Sequence, residues 1–130
     1  MVGTQVTYLD THIVARLYQS ERSMISSRAQ AAIEREDDLR ISPLVLLELE
    51  YLHEIKRIKP PAARIVSDLE AEIGLRVCDE PFPRVVRKAL EERWTRDPFD
   101  RMIVAQARLH NAALITLDRH ILSHYSHAMG

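Results

Sequence analysis

Apolar positions recur along this chain in two alternating rhythms. Short β-favouring runs alternate with stretches in which apolar residues return every three or four positions. Val6-Thr7-Tyr8-Leu9 is the first short run, closed by Asp10. Ile13, Val14 and Leu17 then recur at helical spacing, with Asp10 placed to cap that helix. From Met24 to about Glu36, Ile25, Ala29, Ala32 and Ile33 outline a second amphipathic helix. Leu39-Arg40-Ile41-Ser42 reads as a short strand, and Ser42-Pro43 as an N-cap with proline at the first helical position. A strongly apolar helix follows, to about Ile58. Pro60-Pro61 breaks the pattern and restarts a helix through Ile65, Leu69 and Ile73, with Gly74 as its stop. Leu75-Arg76-Val77-Cys78 reads as a strand, Glu80-Pro81-Phe82-Pro83 as loop, and Val85 to about Trp94 as helix. Asp97-Pro98 starts another helix, which runs to Asn111. Ala113-Leu114-Ile115-Thr116-Leu117 is a strand, and Asp118 opens a short last helix around Ile121-Leu122.

Alternating strands and helices predict an α/β chain with a parallel sheet covered by helices. In such sheets, sites lie beyond the carboxyl ends of the strands. No repeat, low-complexity stretch or linker interrupts the pattern, so residues 1–130 are expected to form one domain. Three glycines and 5% aromatic residues argue against an all-β barrel or sandwich, and 46% hydrophobic with 28% charged residues is ordinary for a soluble globular protein. No apolar run approaches the roughly 20 residues of a membrane span. Residues 1–5 lack the basic and apolar regions of a signal peptide. The one cysteine, Cys78, reads as a small buried hydrophobe. These features suit a reducing cytoplasm. The net charge of -1 gives nucleic-acid binding no support, although acids gathered in one pocket can conceal a basic rim in the sum.

Asp10 and Asp118 each end a strand and should project from the same edge of the sheet. Glu48 has Leu44 and Val45 one turn before it and Tyr51 and Leu52 one turn after, which predicts that it shares their buried face. Its near neighbour Glu50 faces His53 and Glu54 and is expected to be solvated. Asp100 shares a face with Ile103, Val104 and Ala107. A carboxylate on an apolar face is costly unless it is paired or bound to metal. Here are four with no evident buried cation for each. Crowded like charges repel, and a hard divalent cation such as Mg²⁺ or Mn²⁺ relieves this with oxygen ligands. Each acid also has a plain structural reading. Asp10, Asp97 and Asp118 fit helix N-caps, and Asp97 and Asp100 have capping-box spacing. The conjunction of two strand-end acids with two inward helix acids favours a metal pocket. Capping is compatible with that, because a helix N-terminus keeps a carboxylate ionised.

Other signals are set aside. His120, His124 and His127 at i, i+4, i+7 read as a solvated tail, and His53-Glu54 lacks the second histidine of a zinc-protease helix. Leu44-Val45-Leu46-Leu47 with Leu49 and Leu52 is apolar nearly all round. Core is the default for such a helix, with a dimer or partner contact as the other reading. Trp94 is read as packing rather than base stacking, and His12 as lying near the pocket mouth.

Taken in order, Tyr8-Leu9-Asp10-Thr11-His12, Ile41-Ser42-Pro43 with Leu47-Glu48-Leu49, Arg96-Asp97-Pro98-Phe99-Asp100-Arg101 running into Ile103-Val104-Ala105-Gln106-Ala107, and Leu114-Ile115-Thr116-Leu117-Asp118 resemble the motifs of PIN domains. The match is nearest to VapC-type toxins and covers nearly the whole chain. The resemblance implies a three-layer α/β/α sandwich around a parallel sheet of four or five strands. It implies that Asp10, Glu48, Asp100 and Asp118 form a catalytic pocket for one or two Mg²⁺ or Mn²⁺ ions. Thr11 and Thr116 match hydroxyl positions beside the acids, and Asp97 matches a branch-specific acid in a supporting place. It further implies RNA cleavage by metal-activated water, a homodimer, and a small antitoxin whose tail fills the active-site groove. Arg96, Arg101 and Arg119, adjacent in sequence to the acids, are candidate phosphate contacts, with surface charge or pairing to the acids as the alternative. The rival reading is a PIN-like partner-binding module without nuclease activity. A phospho-receiver fits poorly, lacking a paired acid before Asp10 and a late strand-end lysine. An aspartyl-phosphate phosphatase would need Asp-x-Asp where this chain has Asp10-Thr11-His12.

Overall fold

The computed structural model describes residues 5–35 and 38–130. The expected end of the second helix at Glu36, and residues 1–4 of the stretch read for a leader, lie outside the described residues. The elements in chain order are β1 (Val6–Leu9), α1 (Thr11–Tyr18), a 3₁₀ turn (Arg22–Met24), α2 (Ser27–Arg35), β2 (Asp38–Ile41), α3 (Pro43–Glu54), α4 (Ala62–Ile73), β3 (Arg76–Val77), α5 (Phe82–Ala89), α6 (Pro98–Arg108), β4 (Ala113–Ile115), α7 (Arg119–His124) and β5 (Ala128–Met129).

The strands form one all-parallel sheet in the order β3-β2-β1-β4-β5. The chain steps outward from β1 through β2 to β3, then crosses back to the other side of β1 for β4 and β5. Strand order therefore reverses between β1 and β4, and helices leaving these two strands diverge to leave a crevice at their carboxyl ends. Register fixes what stands there. Leu9 lies opposite Ile115. The Asp10 N–H donates to the Ile115 carbonyl at 2.9 Å, and the Thr116 N–H to the Met129 carbonyl at 3.0 Å. Ladder bonding thus carries past the last residues of β1 and β4 into the acid-bearing segments. Tyr8, Leu9, Leu39, Ile41, Leu114 and Ile115 are all buried, as strands covered on both faces require.

The parallel α/β architecture is as expected, with differences at the element ends. The second helix begins at Ser27 rather than Met24, because Arg22–Met24 winds as 3₁₀ and leaves Met24 exposed. The third stops at Glu54, four residues short. There Lys56 takes a positive φ of 64°, and the Arg57 N–H returns to the Leu52 carbonyl at 2.8 Å. The helix expected over Val85 to Trp94 runs over Phe82–Ala89 instead, because Pro83 sits in its first turn, where proline is preorganised. The short strand β5 carries no apolar run of its own and is held by backbone pairing to β4. Gly74 ends α4 in the left-handed region at φ 74°, as its position predicted.

Two burial expectations are corrected. α3 is not buried all round: Val45 and Leu49 are buried, but Leu47 and Tyr51 are 57% and 59% exposed, so Tyr51 does not share a buried face with Glu48. Glu50 is not simply solvated. It is half-buried and accepts a hydrogen bond from the Ala62 N–H at 3.0 Å. The N-cap of α4 is Pro61, which offers no side-chain acceptor, and Glu50 supplies one from α3.

Candidate active site

Three of the helix starts near the carboxyl edge of the sheet are capped by an acid. Asp10 caps α1, its Oδ1 accepting from the Thr11 N–H at 2.8 Å. Asp97 caps α6, its Oδ1 accepting from the N–H groups of Phe99 at 2.8 Å and Asp100 at 3.2 Å. Asp118 caps α7, with Oδ1 accepting from His120 at 2.8 Å and Ile121 at 3.3 Å. The structural reading of these residues is therefore correct, and it does not compete with a pocket. Asp10, Thr11, His12, Glu48, Asp97, Asp100, Leu117 and Asp118 line one cavity of about 300 Å³. Asp97 and Asp118 each spend one oxygen on the helix start and, among the described residues, leave Oδ2 without a hydrogen bond.

Two threonines order the most buried acids. The Thr116 hydroxyl donates to Asp10 Oδ2 at 2.7 Å and accepts from the Asp118 N–H at 3.0 Å, linking the ends of β1 and β4. The Thr11 hydroxyl donates to Glu48 Oε1 at 2.5 Å, tying α3 to the start of α1. Asp100 reaches the cavity from the first turn of α6 and has no hydrogen-bond partner on its carboxylate among the described residues.

Burial and mutual repulsion set the charge state. Asp100 is pushed up to about 7, first by burial and then by the charges of Asp97, Asp118, Asp10 and Glu48. Asp10, only 8% exposed, is raised by burial, while the hydrogen bonds from Thr116 and Thr11 pull it back. Glu48 is raised by burial and by Asp10 and Asp97, against the hydrogen bond from Thr11. The donor chemistry suits a hard divalent cation, with oxygen donors throughout and several carboxylate oxygens uncommitted. Among the described residues no three acidic, histidine or cysteine side chains already surround a common point as bound-ion ligands do. The carboxylates stand apart, as like charges do.

Of the arginines expected at phosphates, Arg101 uses its Nε within the fold and has no hydrogen bond on its terminal nitrogens among the described residues. Its Nε donates to the Thr95 carbonyl at 2.8 Å, because Arg101 follows the α6 start and folds back over the loop. Arg96 and Arg119 are exposed beside the cavity-lining acids. His12 is exposed and lines the mouth. His120 and His124 are exposed but do not form a loose tail. Trp94 stacks on His124 at 5.0 Å and meets His120 edge-on at 5.3 Å, so the tryptophan is packing, half-buried, with these rings over it. His127 instead meets Tyr125 at 5.7 Å. Cys78 is buried and accepts a hydrogen bond from the Tyr8 hydroxyl at 3.1 Å.

The sequence reading missed Glu92, which is 2% exposed. Its carboxylate takes Arg108 Nε at 2.6 Å and Trp94 Nε1 at 2.8 Å, pinning the segment that leads into Asp97 against α6. A glutamate between two charged neighbours gives no sign of burial, and only the distant Arg108 explains it.

The family model of the PIN domain matches residues 7–127. The chain is 36% identical over 118 residues to ribonuclease VapC22 of Mycobacterium tuberculosis, covering 89% of each. Among solved structures it resembles a toxin–antitoxin complex from Klebsiella pneumoniae, with a TM-score of 0.70 at 17% identity over 95% of this chain and 96% of that one. It also resembles VapBC2 from Rickettsia felis bound to a promoter DNA fragment, with a TM-score of 0.66 at 18% identity over 96% of both chains. The structures speak to the fold, and the family model and the curated relative to descent. With its strand order and acid-capped helix starts, this chain belongs to the PIN domain family.

Proposed function

We propose that this chain is a metal-dependent endoribonuclease and the toxin of a VapBC-type toxin–antitoxin pair. The observation that carries the reading is the single crevice in which Asp10, Glu48, Asp97, Asp100 and Asp118 meet, with Asp100 pushed up to about 7. So much like charge in one place suits a cation site better than any role in packing. The name of the curated relative, ribonuclease VapC22, supports the same activity.

Asp10, Glu48, Asp100 and Asp118 would hold one or two Mg²⁺ or Mn²⁺ ions. When bound, such an ion supplies Lewis-acid polarisation of water and of phosphate oxygens. The protein's own part is positional. Thr116 orients Asp10, Thr11 orients Glu48, and the caps at Asp97 and Asp118 fix the helices that frame the opening. Arg96 and Arg119, exposed at the rim, would meet RNA phosphates. Beside Glu48 a second cavity of about 380 Å³ is lined by Leu47, Tyr51, Glu54 and Phe99. This apolar strip next to the acids is where a protein partner, the antitoxin or a second copy of the chain, would sit. The described residues contain no helix long and apolar enough to cross a membrane, and we assign the protein to the cytoplasm.

The test is cleavage of a mixed RNA pool by purified, partner-free protein in Mg²⁺ or Mn²⁺, with EDTA and Asp10→Asn as controls. Cutting that disappears in both controls supports the reading. Folded protein that cuts nothing under either metal overturns a general nuclease and favours the partner-binding alternative.

A further inference from the structure

Next to the acidic pocket lies another cavity of about 300 Å³, lined in part by His12, Arg16, Gln19, Glu21, Met24 and Arg57. His12 lines both, so the two open side by side. Arg16 stands one turn beyond His12 on α1, about 6 Å along the helix axis. Arg57 comes from the turn that ends α3, whose backbone is held by the return bond to Leu52. The charges are unbalanced: two arginines face one acid, Glu21.

Neither arginine has an acidic partner among the described residues. Exposed arginines such as Arg57 commonly lack one, and what sets Arg16 apart is its burial. Arg16 is half-buried, and its buried Nε has no hydrogen-bond partner. One terminal nitrogen meets only the Met24 sulfur at 2.6 Å, a weak acceptor. A guanidinium N–H removed from water without an acceptor is costly, and a phosphate accepts from two such groups at once.

We infer that this cleft binds backbone phosphate of the RNA strand that enters the acidic pocket. The inference rests on the nuclease reading above and deepens it. A crevice of five acids on a chain of net charge -1 repels a polyanion. A substrate strand needs opposing charge close by, and Arg16 and Arg57 are cations without an acidic partner in a cleft that shares His12 with that pocket. Neither was marked by the sequence reading, since the two lie 41 positions apart and meet only in the fold.

The experiment compares wild type, Arg16→Gln/Arg57→Gln and Arg35→Gln. Arg35 lines a cavity with Gln5, Val6 and Thr7, at the opposite, amino edge of the sheet. Affinity for a fluorescein-labelled single-stranded RNA is measured in EDTA across a salt series, and cleavage rates in Mn²⁺. The double variant is expected to bind about tenfold more weakly. Its log–log salt slope should be shallower by about 1.4, from roughly 0.7 per phosphate contact in single strands. KM should rise with kcat nearly unchanged, and Arg35→Gln should match wild type. If the double variant melts early, Arg16→Lys/Arg57→Lys keeps the charge and should retain most of the affinity. A folded double variant with unchanged affinity and slope, on a background where wild type cuts RNA, overturns this inference alone and leaves the cleft to an acidic protein segment. Wild type that neither binds nor cuts RNA overturns the nuclease reading and this inference together.

Discussion

The Thr116 hydroxyl spans the ends of β1 and β4, donating to Asp10 at 2.7 Å while accepting from the backbone of Asp118 at 3.0 Å. One fully buried side chain therefore sets the two strand-end acids relative to each other. Thr116→Val keeps the shape and removes both bonds. It leaves the buried Asp10 oxygen without its donor, at a cost of about 1–3 kcal/mol of unfolding free energy. RNA cleavage should fall at least tenfold, and Thr116→Ser should restore most of both. Denaturant unfolding and Mn²⁺-dependent cleavage of the three proteins check this; a Val variant as active as wild type would remove Thr116 from the site.

The raised carboxyls make a pH prediction with a definite sign. Asp100 titrates near 7 in the folded protein against an ordinary value of 3.8, so the native state binds its proton more tightly than the unfolded chain does. Stability is lost as pH climbs from about 4 through 7, and Asp10 and Glu48 act in the same direction. Metal-free protein should melt at a higher temperature at pH 5.5 than at pH 8. Mg²⁺ should raise the melting temperature more at pH 8, where the carboxylates are charged and repel. Differential scanning fluorimetry with and without EDTA reads both effects.

Removing one of the crowded charges should stabilise the fold while ending its chemistry. Asp100→Asn keeps the side-chain volume, breaks no hydrogen bond on its carboxylate, and relieves repulsion. Its metal-free melting temperature should exceed that of wild type at pH 8 and match it more closely at pH 5.5. Cleavage should drop by orders of magnitude. A variant less stable than wild type at pH 8 would mean that the repulsion around Asp100 is weaker than its surroundings imply.

Asp97 separates capping from chemistry. Asparagine caps a helix about as well as aspartate, whereas alanine costs about 1 kcal/mol. Asp97→Asn should fold as wild type does and lose only what the charge contributes. Asp97→Ala should lose stability as well. Equal activity in wild type and Asp97→Asn would mark the residue as a cap alone.

Glu92 is the test of the hidden scaffold. Arg108→Leu would leave its carboxylate, 2% exposed, facing only the indole N–H of Trp94. Unpaired buried charges of this kind cost about 3–5 kcal/mol when fully enclosed, and about 2 kcal/mol is expected here because Arg108 is itself partly exposed. Trp94 is the only tryptophan, so its emission should shift as the segment loosens. An unaltered spectrum would show that other contacts hold the loop.

The strand and helix rhythm was legible because β1 and β4 are short, largely apolar, β-favouring runs and the aspartate caps are local patterns of two or three residues. Asp10, Asp97 and Asp118 could be placed from those patterns, since a strand end or an Asp-Pro pair fixes its own geometry. What could not be read depends on partners far away in sequence. Glu50 looked solvated because its donor, the N–H of Ala62, lies across a loop. Tyr51 looked buried because helical spacing gives the shared face but not whether anything covers it. The bond from Arg101 Nε to Thr95 was not legible because its acceptor is a backbone carbonyl, which has no signature in the sequence. Glu92 and Arg108 are 16 positions apart, outside any local pattern.

That the same carboxylates launch three helices and line the cavity has an evolutionary consequence. Folding alone favours an oxygen-bearing side chain at positions 10, 97 and 118, because each accepts from the N–H groups of a helix start. The shortest inheritance path to a folded but disarmed relative is therefore the exchange of one oxygen for an amide. Such a copy would keep its outline, including the exposed strip at Leu47 and Tyr51. If a partner covers that strip, as proposed above, a disarmed copy present in the same cell would compete for it and so set how much of the armed form is left uncovered.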